Sequence, residues 1–187
     1  MSRSVRFVSL LLPLVLLFSL WALWEAGAAT GNAVWSKDAW FWTHVGFLVV
    51  ALSGLLMAVL SALFYLWQSS RLKAKKLGSA LNKLPALDML EKIHFRALAF
   101  GVVFFSLGIL SGLFWASDLR ELGNILRDPK VILSFLTCVL YWVVMSVRLS
   151  SLRRGQKIAA GTLIVFVLLF ATFVSSYYMP SVFHRGL

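Results

Sequence analysis

The sequence predicts an all-α protein: a polytopic membrane helix bundle of five transmembrane helices, with a cytoplasmic N-terminus and a C-terminus outside, periplasmic in a bacterium. Three observations predict it. Of 187 residues, 60% are hydrophobic and only 13% charged, whereas soluble domains hold about 45–50% apolar and about 25% charged residues. The mean hydropathy is +0.87. The apolar residues fall into runs of about 18 residues or more, and about 20 residues at 1.5 Å rise cross a 30 Å hydrocarbon core. A water-soluble enzyme, a disordered tail and a disulfide-rich secreted module are excluded. Cys138 is the one cysteine, so the chain has no internal disulfide and no cysteine metal cluster.

The first run, 7–24, follows Arg3 and Arg6 and precedes Ala26-Gly27-Ala28. Such an arrangement also ends secretory signal peptides, but this apolar stretch is longer than a usual signal core, and it reads as a retained anchor. Residues 1–40 form an anchor with an outer loop, and 41–187 form a four-helix membrane domain. The second run, 41–67, is entered through Trp35, Trp40 and Trp42, residues that mark a membrane–water boundary. The loop 68–94 is basic, and its stretch Leu87, Leu90, Ile93 and Leu98 reads as a short helix lying on the membrane. The third run, 95–116, carries Gly101, Gly108, Gly112, Ser106 and Ser111, a small-residue face for close helix packing. The fourth, 131–147, opens after Asp128-Pro129, with Pro129 suited to a first helical turn. The fifth is 158–178.

Charge sets the orientation. Thirteen of the eighteen basic residues flank the helix ends on one side: Arg3, Arg6, Arg71, Lys73, Lys75, Lys76, Lys83, Lys92, Arg96, Arg148, Arg153, Arg154 and Lys157. Only Asp88 and Glu91 accompany them. The other side balances five cations with five acids, so the whole net charge of +11 lies on one face. By the positive-inside rule that face is cytoplasmic. The basic loops suit anionic lipid headgroups; no nucleic-acid motif accompanies them, and no nucleic-acid partner is expected.

The chemistry available is sparse. No carboxylate falls mid-span to suggest an ion path. There is no phosphate-binding glycine loop and no HExxH pattern. His94, between Lys92 and Arg96, reads as a solvated interfacial histidine. His44, at the outer start of the second run, and His184, six residues past the fifth, share one face by topology. Two neutral imidazoles make an axial pair for haem iron, and Arg185 suits a propionate.

The stretch LPALDMLEKIHFRALAFGVVFFSLGILSGLFWA (84–116) resembles the LPxLxxLDxLxYRxxxxGFxxLTxGIxSGxxWA segment of cytochrome c assembly proteins of the CcsA/HemX type. Pro85, Leu87, Leu90, Arg96, Gly101, Leu107, Gly108, Ile109, Ser111, Gly112, Trp115 and Ala116 fall on that pattern. Asp128-Pro129-Lys130, Thr137, Tyr141 and Arg148 match the DPKxxxxxxTxxxYxxxxxxR run that follows it, and His44 and His184 match the outer histidines. The resemblance covers about residues 40–187. It implies four helices around an outer haem-handling surface, with His44 and His184 as iron ligands and Arg185 beside them. It further implies a haem b cofactor, a bacterial inner-membrane location, and apocytochrome c or other membrane subunits as partners.

Two departures shape the expectation. The family's tryptophan-rich WGxYWxWDPKE loop is here Ser117–Lys130, which contains no tryptophan, and its intramembrane histidine is here Ser146. The expected function is haem binding or handling in cytochrome c biogenesis or haem-linked electron transfer, without independent catalytic activity. The alternative is a non-catalytic scaffold subunit of a larger membrane complex. A small transporter lacks the intramembrane charge or broken helices it would need.

Overall fold

The computed structural model describes residues 39–74, 86–118, 128–150 and 155–178, with side chains described throughout except at 116–118 and 173–178. Every element among them is a helix: α1 (Ala39–Lys73), α2 (Leu87–Asp118), α3 (Pro129–Ser150) and α4 (Gly155–Tyr178). All four are long and apolar enough to cross a membrane. Helix is the form that apolar sequence must take in lipid, because every backbone donor and acceptor is satisfied within the segment. The expected first span, 7–24, lies outside the described residues, and among the described residues there are four helices.

Successive helices run antiparallel. Arg71, Lys73, Lys92, Arg96, Arg148 and Lys157 lie at or near one end, the basic end, while the starts of α1 and α3 lie at the other. The dominant interface is α1 on α2; α4 packs on α1 and α3, and α3 touches α2 more lightly. A core of Ala51, Leu55, Ala58, Leu98, Val102, Phe105, Cys138, Tyr141, Val165 and Leu169 joins all four helices. A second cluster at the basic end joins Ala62, Tyr65, Leu90 and Ala159. Large apolar side chains point outward along the spans, among them Phe114, Phe135, Leu149, Ile164 and Val167, as lipid-facing positions require.

Glycine sets the α1–α2 distance. A Cβ placed on Gly54 would lie 3.0 Å from the backbone of Gly101, and one on Gly101 would lie 2.8 Å from Leu55. Gly108 is covered in the same way by Leu48, whose Cδ2 would sit 2.7 Å from an added Cβ. The expected small-residue face thus packs against α1. Ser106 is the exception: it turns toward α3, accepting a hydrogen bond from Trp142 Nε1 (3.0 Å) and lying 3.4 Å from Cys138 Sγ.

Two expectations are corrected. Residues 87–98 are no separate surface helix; they are the first three turns of α2, which runs unbroken for 32 residues. No glycine or proline interrupts the stretch, and Leu90 and Leu98 are fully buried against protein, so its apolar face is satisfied by the bundle. His94 is not solvated either. It is 4% exposed and bonded to Thr162 Oγ1 of α4 at 3.0 Å. Its neighbours in sequence are basic, but helical periodicity turns it inward with Leu90 and Leu98. Pro129 does open α3, and Asp128 caps it, its Oδ1 accepting the Lys130 amide at 2.9 Å.

Polar ties gather at the basic end. Arg148 of α3 pairs with Glu91 of α2 at 2.6 Å, both partly shielded, and its guanidinium lies 5.8 Å from the Phe95 ring centroid. Lys73 of α1 donates to Gln156 of α4 at 2.8 Å, and Gln156 also bonds Ser69. The Tyr65 hydroxyl packs on Gly155, whose missing side chain leaves it room.

Gly101→Ala should lower stability by about 1–3 kcal/mol, the usual cost of overpacking a tight contact. Gly46→Ala should be close to neutral, because an added Cβ there meets nothing within 4 Å; reversible denaturation in mixed micelles measures both. A double-mutant cycle of Glu91→Gln with Arg148→Met should return a favourable coupling of about 0.5–3 kcal/mol, and a coupling of zero would reduce the pair to a surface contact.

Candidate functional site

The first residue of interest lies at the end opposite the basic one. His44 sits in the second turn of α1, and Leu48, one turn further in, packs on Gly108. Its ring lies against α2 at a notch that two glycines create. A Cβ on Gly112 would come within 2.8 Å of His44 Cε1 and 2.9 Å of Nδ1, so glycine alone leaves space for the imidazole. Gly108 and Gly112 are one helical turn apart and therefore on one face.

His44 Nδ1 lies 2.7 Å from the Gly108 carbonyl oxygen. A carbonyl only accepts, so Nδ1 carries the proton and donates it. In the neutral ring the lone pair then belongs to Nε2. Ser111 Oγ donates to the same carbonyl at 2.8 Å. A histidine whose one nitrogen is held by a backbone carbonyl and whose other keeps its lone pair is the arrangement of a metal-ligating imidazole. Among the described residues no three His, Cys, Asp or Glu side chains converge. The described part of the site therefore offers a single directed imidazole and no clustered ion site.

Aromatic rings surround this end. Trp40 stacks on Phe114 with centroids 5.9 Å apart, and Phe41 meets Trp115 edge-on at 5.4 Å and Trp42 at 5.6 Å. The tryptophans are thus contributed by α1 and the end of α2. The rings form an apolar, aromatic surface at this end, and His44 is the polar side chain beside it.

His184 and Arg185 lie outside the described residues. The helix leading to them, α4, starts beside Tyr65 and Glu91 at the basic end and rises about 36 Å over its 24 residues, so it finishes at the His44 end. Ser146, at the position of the family's intramembrane histidine, is exposed and donates to the Trp142 carbonyl of its own helix at 2.8 Å. His94 is held elsewhere, in the half of the bundle nearest the basic end, where Thr162 also lies 3.0 Å from the Ile158 carbonyl. A carbonyl only accepts, so the threonine proton goes to Ile158 and His94 Nε2 donates to Thr162 Oγ1. Reading the sequence alone singled out the glycines as packing residues and missed that two of them seat a histidine. The four-residue Gly108–Gly112 spacing with Ser111 between was the available signal.

These features define a multi-pass helical membrane protein with a histidine presented at one end of the bundle. A family model described as "Cytochrome C assembly protein" matches residues 2–183. The chain belongs to the cytochrome c assembly protein family. It is 29% identical to Protein HemX of Brevibacillus brevis over 145 residues, covering 76% of this chain and 51% of that protein. It is 30% identical to Inner membrane protein YpjD of Escherichia coli K12 over 152 residues, 80% of this chain and 56% of that one. Against Cytochrome c biogenesis protein CcsA of Chlamydomonas reinhardtii it is 29% identical over 136 residues, 69% and 36%. The chain spans about half the length of HemX and YpjD. No solved structure gives a significant match.

Thr162→Val should destabilise the bundle by about 1–3 kcal/mol, since the buried His94 would lose its partner without gaining water. Thr162→Ser should keep most of the stability. Thermal unfolding of the purified variants compares them; a loss in Thr162→Ser with none in Thr162→Val would show that the methyl group, and not the hydroxyl, matters.

Proposed function

We propose that this protein binds or handles b-type haem on the outer face of a bacterial inner membrane, in cytochrome c biogenesis or haem-linked electron transfer. The observation that carries the reading is the His44 ring, its Nδ1 proton engaged by Gly108 and its Nε2 left with the lone pair. Family membership supports the link to cytochrome c assembly. Bound haem would supply an iron centre that takes imidazole nitrogen as a ligand. The residues of this chain would supply His44 and His184 as the ligands, Arg185 for a propionate, and the aromatic rim for the apolar edges.

The orientation follows from charge. With five spans and a cytoplasmic N-terminus, the basic end faces the cytoplasm and the membrane's anionic lipids, while the His44 end faces outward. Residues 1–40 would then be the anchor and outer loop, and 41–187 the family-like domain. Apocytochrome c and other membrane subunits are the partners this placement makes accessible.

A scaffold role within a larger membrane complex is the second reading. It is favoured by the loop Ser117–Lys130, which carries none of the family's tryptophans. In that reading the fold persists as a packed bundle and independent catalysis is absent.

Protein purified in mild detergent should show a Soret band, as isolated or after haem is added. His44→Ala and His184→Ala should each lose the low-spin bis-histidine spectrum while keeping wild-type helicity. No Soret band under either condition would remove the haem reading; normal cytochrome assembly by the double variant in cells would favour the scaffold.

A further inference from the structure

We infer that the α2 turn Gly108-Ile109-Leu110-Ser111-Gly112 is a positioning element for His44: it selects the ring tautomer and aims Nε2 as the ligating nitrogen. The inference rests on the haem reading for its purpose but not for its geometry.

Three observations meet at this turn. The Gly108 carbonyl fixes the proton on Nδ1, at 2.7 Å. Ser111 donates to the same oxygen at 2.8 Å, which orients the serine hydroxyl toward the carbonyl and away from competition as an acceptor for His44. Gly112 provides the floor on which the ring lies, with Cε1 and Nδ1 closer to its missing Cβ than real side chains allow. A ring held by one bond would still swing about it. A ring held by one bond and pressed on a glycine surface has a fixed plane. The three features together give the imidazole a defined tautomer and a defined direction before any ligand arrives, and such preorganisation lowers the ordering cost of binding. Gly108, Ser111 and Gly112 act through His44, so they are positioning residues and not ligands.

The depth of the turn is set by the helix crossing. His44 lies about ten residues from Gly54 along α1, or ~15 Å, and Gly112 lies about eleven from Gly101 along α2, or ~16 Å. Because Gly54 and Gly101 are in contact, the antiparallel pair brings ring and notch to one level. The notch is therefore part of the same small-residue interface that holds the helices together, and its glycines serve the site as well as the packing.

The test uses full-length protein with 15N-labelled histidine in nanodiscs of phosphatidylethanolamine and phosphatidylglycerol, without haem and at a pH where the ring is neutral. The His44 signals are identified by their loss in His44→Gln. The expected result is a protonated, pyrrole-type Nδ1 and a pyridine-type Nε2. A proton on Nε2, or an even mixture of tautomers, would overturn the inference. Gly112→Ala should displace the ring, mix the tautomers and weaken haem binding by about 10–100-fold, the range typical for losing an outer-sphere partner. Gly46→Ala, on the open side of α1, should change neither readout. An unaltered His44 spectrum in Gly112→Ala would also overturn it. If the wild type shows the expected tautomer yet binds no added haem, the positioning element stands and the haem reading falls. If haem binds and the tautomer is wrong, the opposite holds.

Discussion

The close approach of Gly54 and Gly101 is the constraint from which the rest of the bundle follows. In lipid there is no hydrophobic force pressing helices together, so association depends on surfaces that fit. Removing two side chains at a crossing lets backbones touch, and long rows of smaller contacts then form on either side. Toward one end the row continues through Leu48 on Gly108 and His44 on Gly112; toward the other it continues through Ala58, Ala62 and Leu90. The helices α3 and α4 complete this pair, closing over the core with Tyr141, Val165 and Leu169.

The two ends of the bundle are chemically different. At the basic end, side chains from all four helices bond one another: Lys73, Ser69, Glu91, His94, Arg148, Gln156 and Thr162. Interhelical bonds in a membrane are individually modest, yet these connect every helix to a neighbour and define the register. At the opposite end the α1–α2 contacts are aromatic, with one imidazole bonded to a backbone carbonyl. The bundle thus has a cross-bonded polar base and an apolar rim that carries one directed imidazole.

Much of this was legible in the residues. Hydropathy located the four described helices to within a few residues at most ends, because apolar length is dictated by membrane thickness. Pro129 announced the start of α3, because its fixed φ suits a first helical turn. The small-residue face of α2 was evident from spacing, and His44 from its place near a boundary. What was hidden depended on pairing between distant segments. The sequence around His94 is basic and suggested water, while its helical phase and the position of Thr162, 68 residues away, decided burial. α2 is longer than its apolar run because charges at Asp88, Glu91 and Lys92 interrupt that run without interrupting the helix. The contact of Gly112 with His44 could not be read without knowing how deeply the two helices cross.

The Gly108 carbonyl has a mechanical consequence. It lies within an unbroken helix, where the amide four residues on is its normal donor, and it also receives hydrogens from an imidazole and a hydroxyl. An oxygen has two lone pairs, so the three donors must share them. The imidazole is therefore bonded straight to the main chain of the adjacent helix, which ties the rim to the axis of α2 without any side-chain relay.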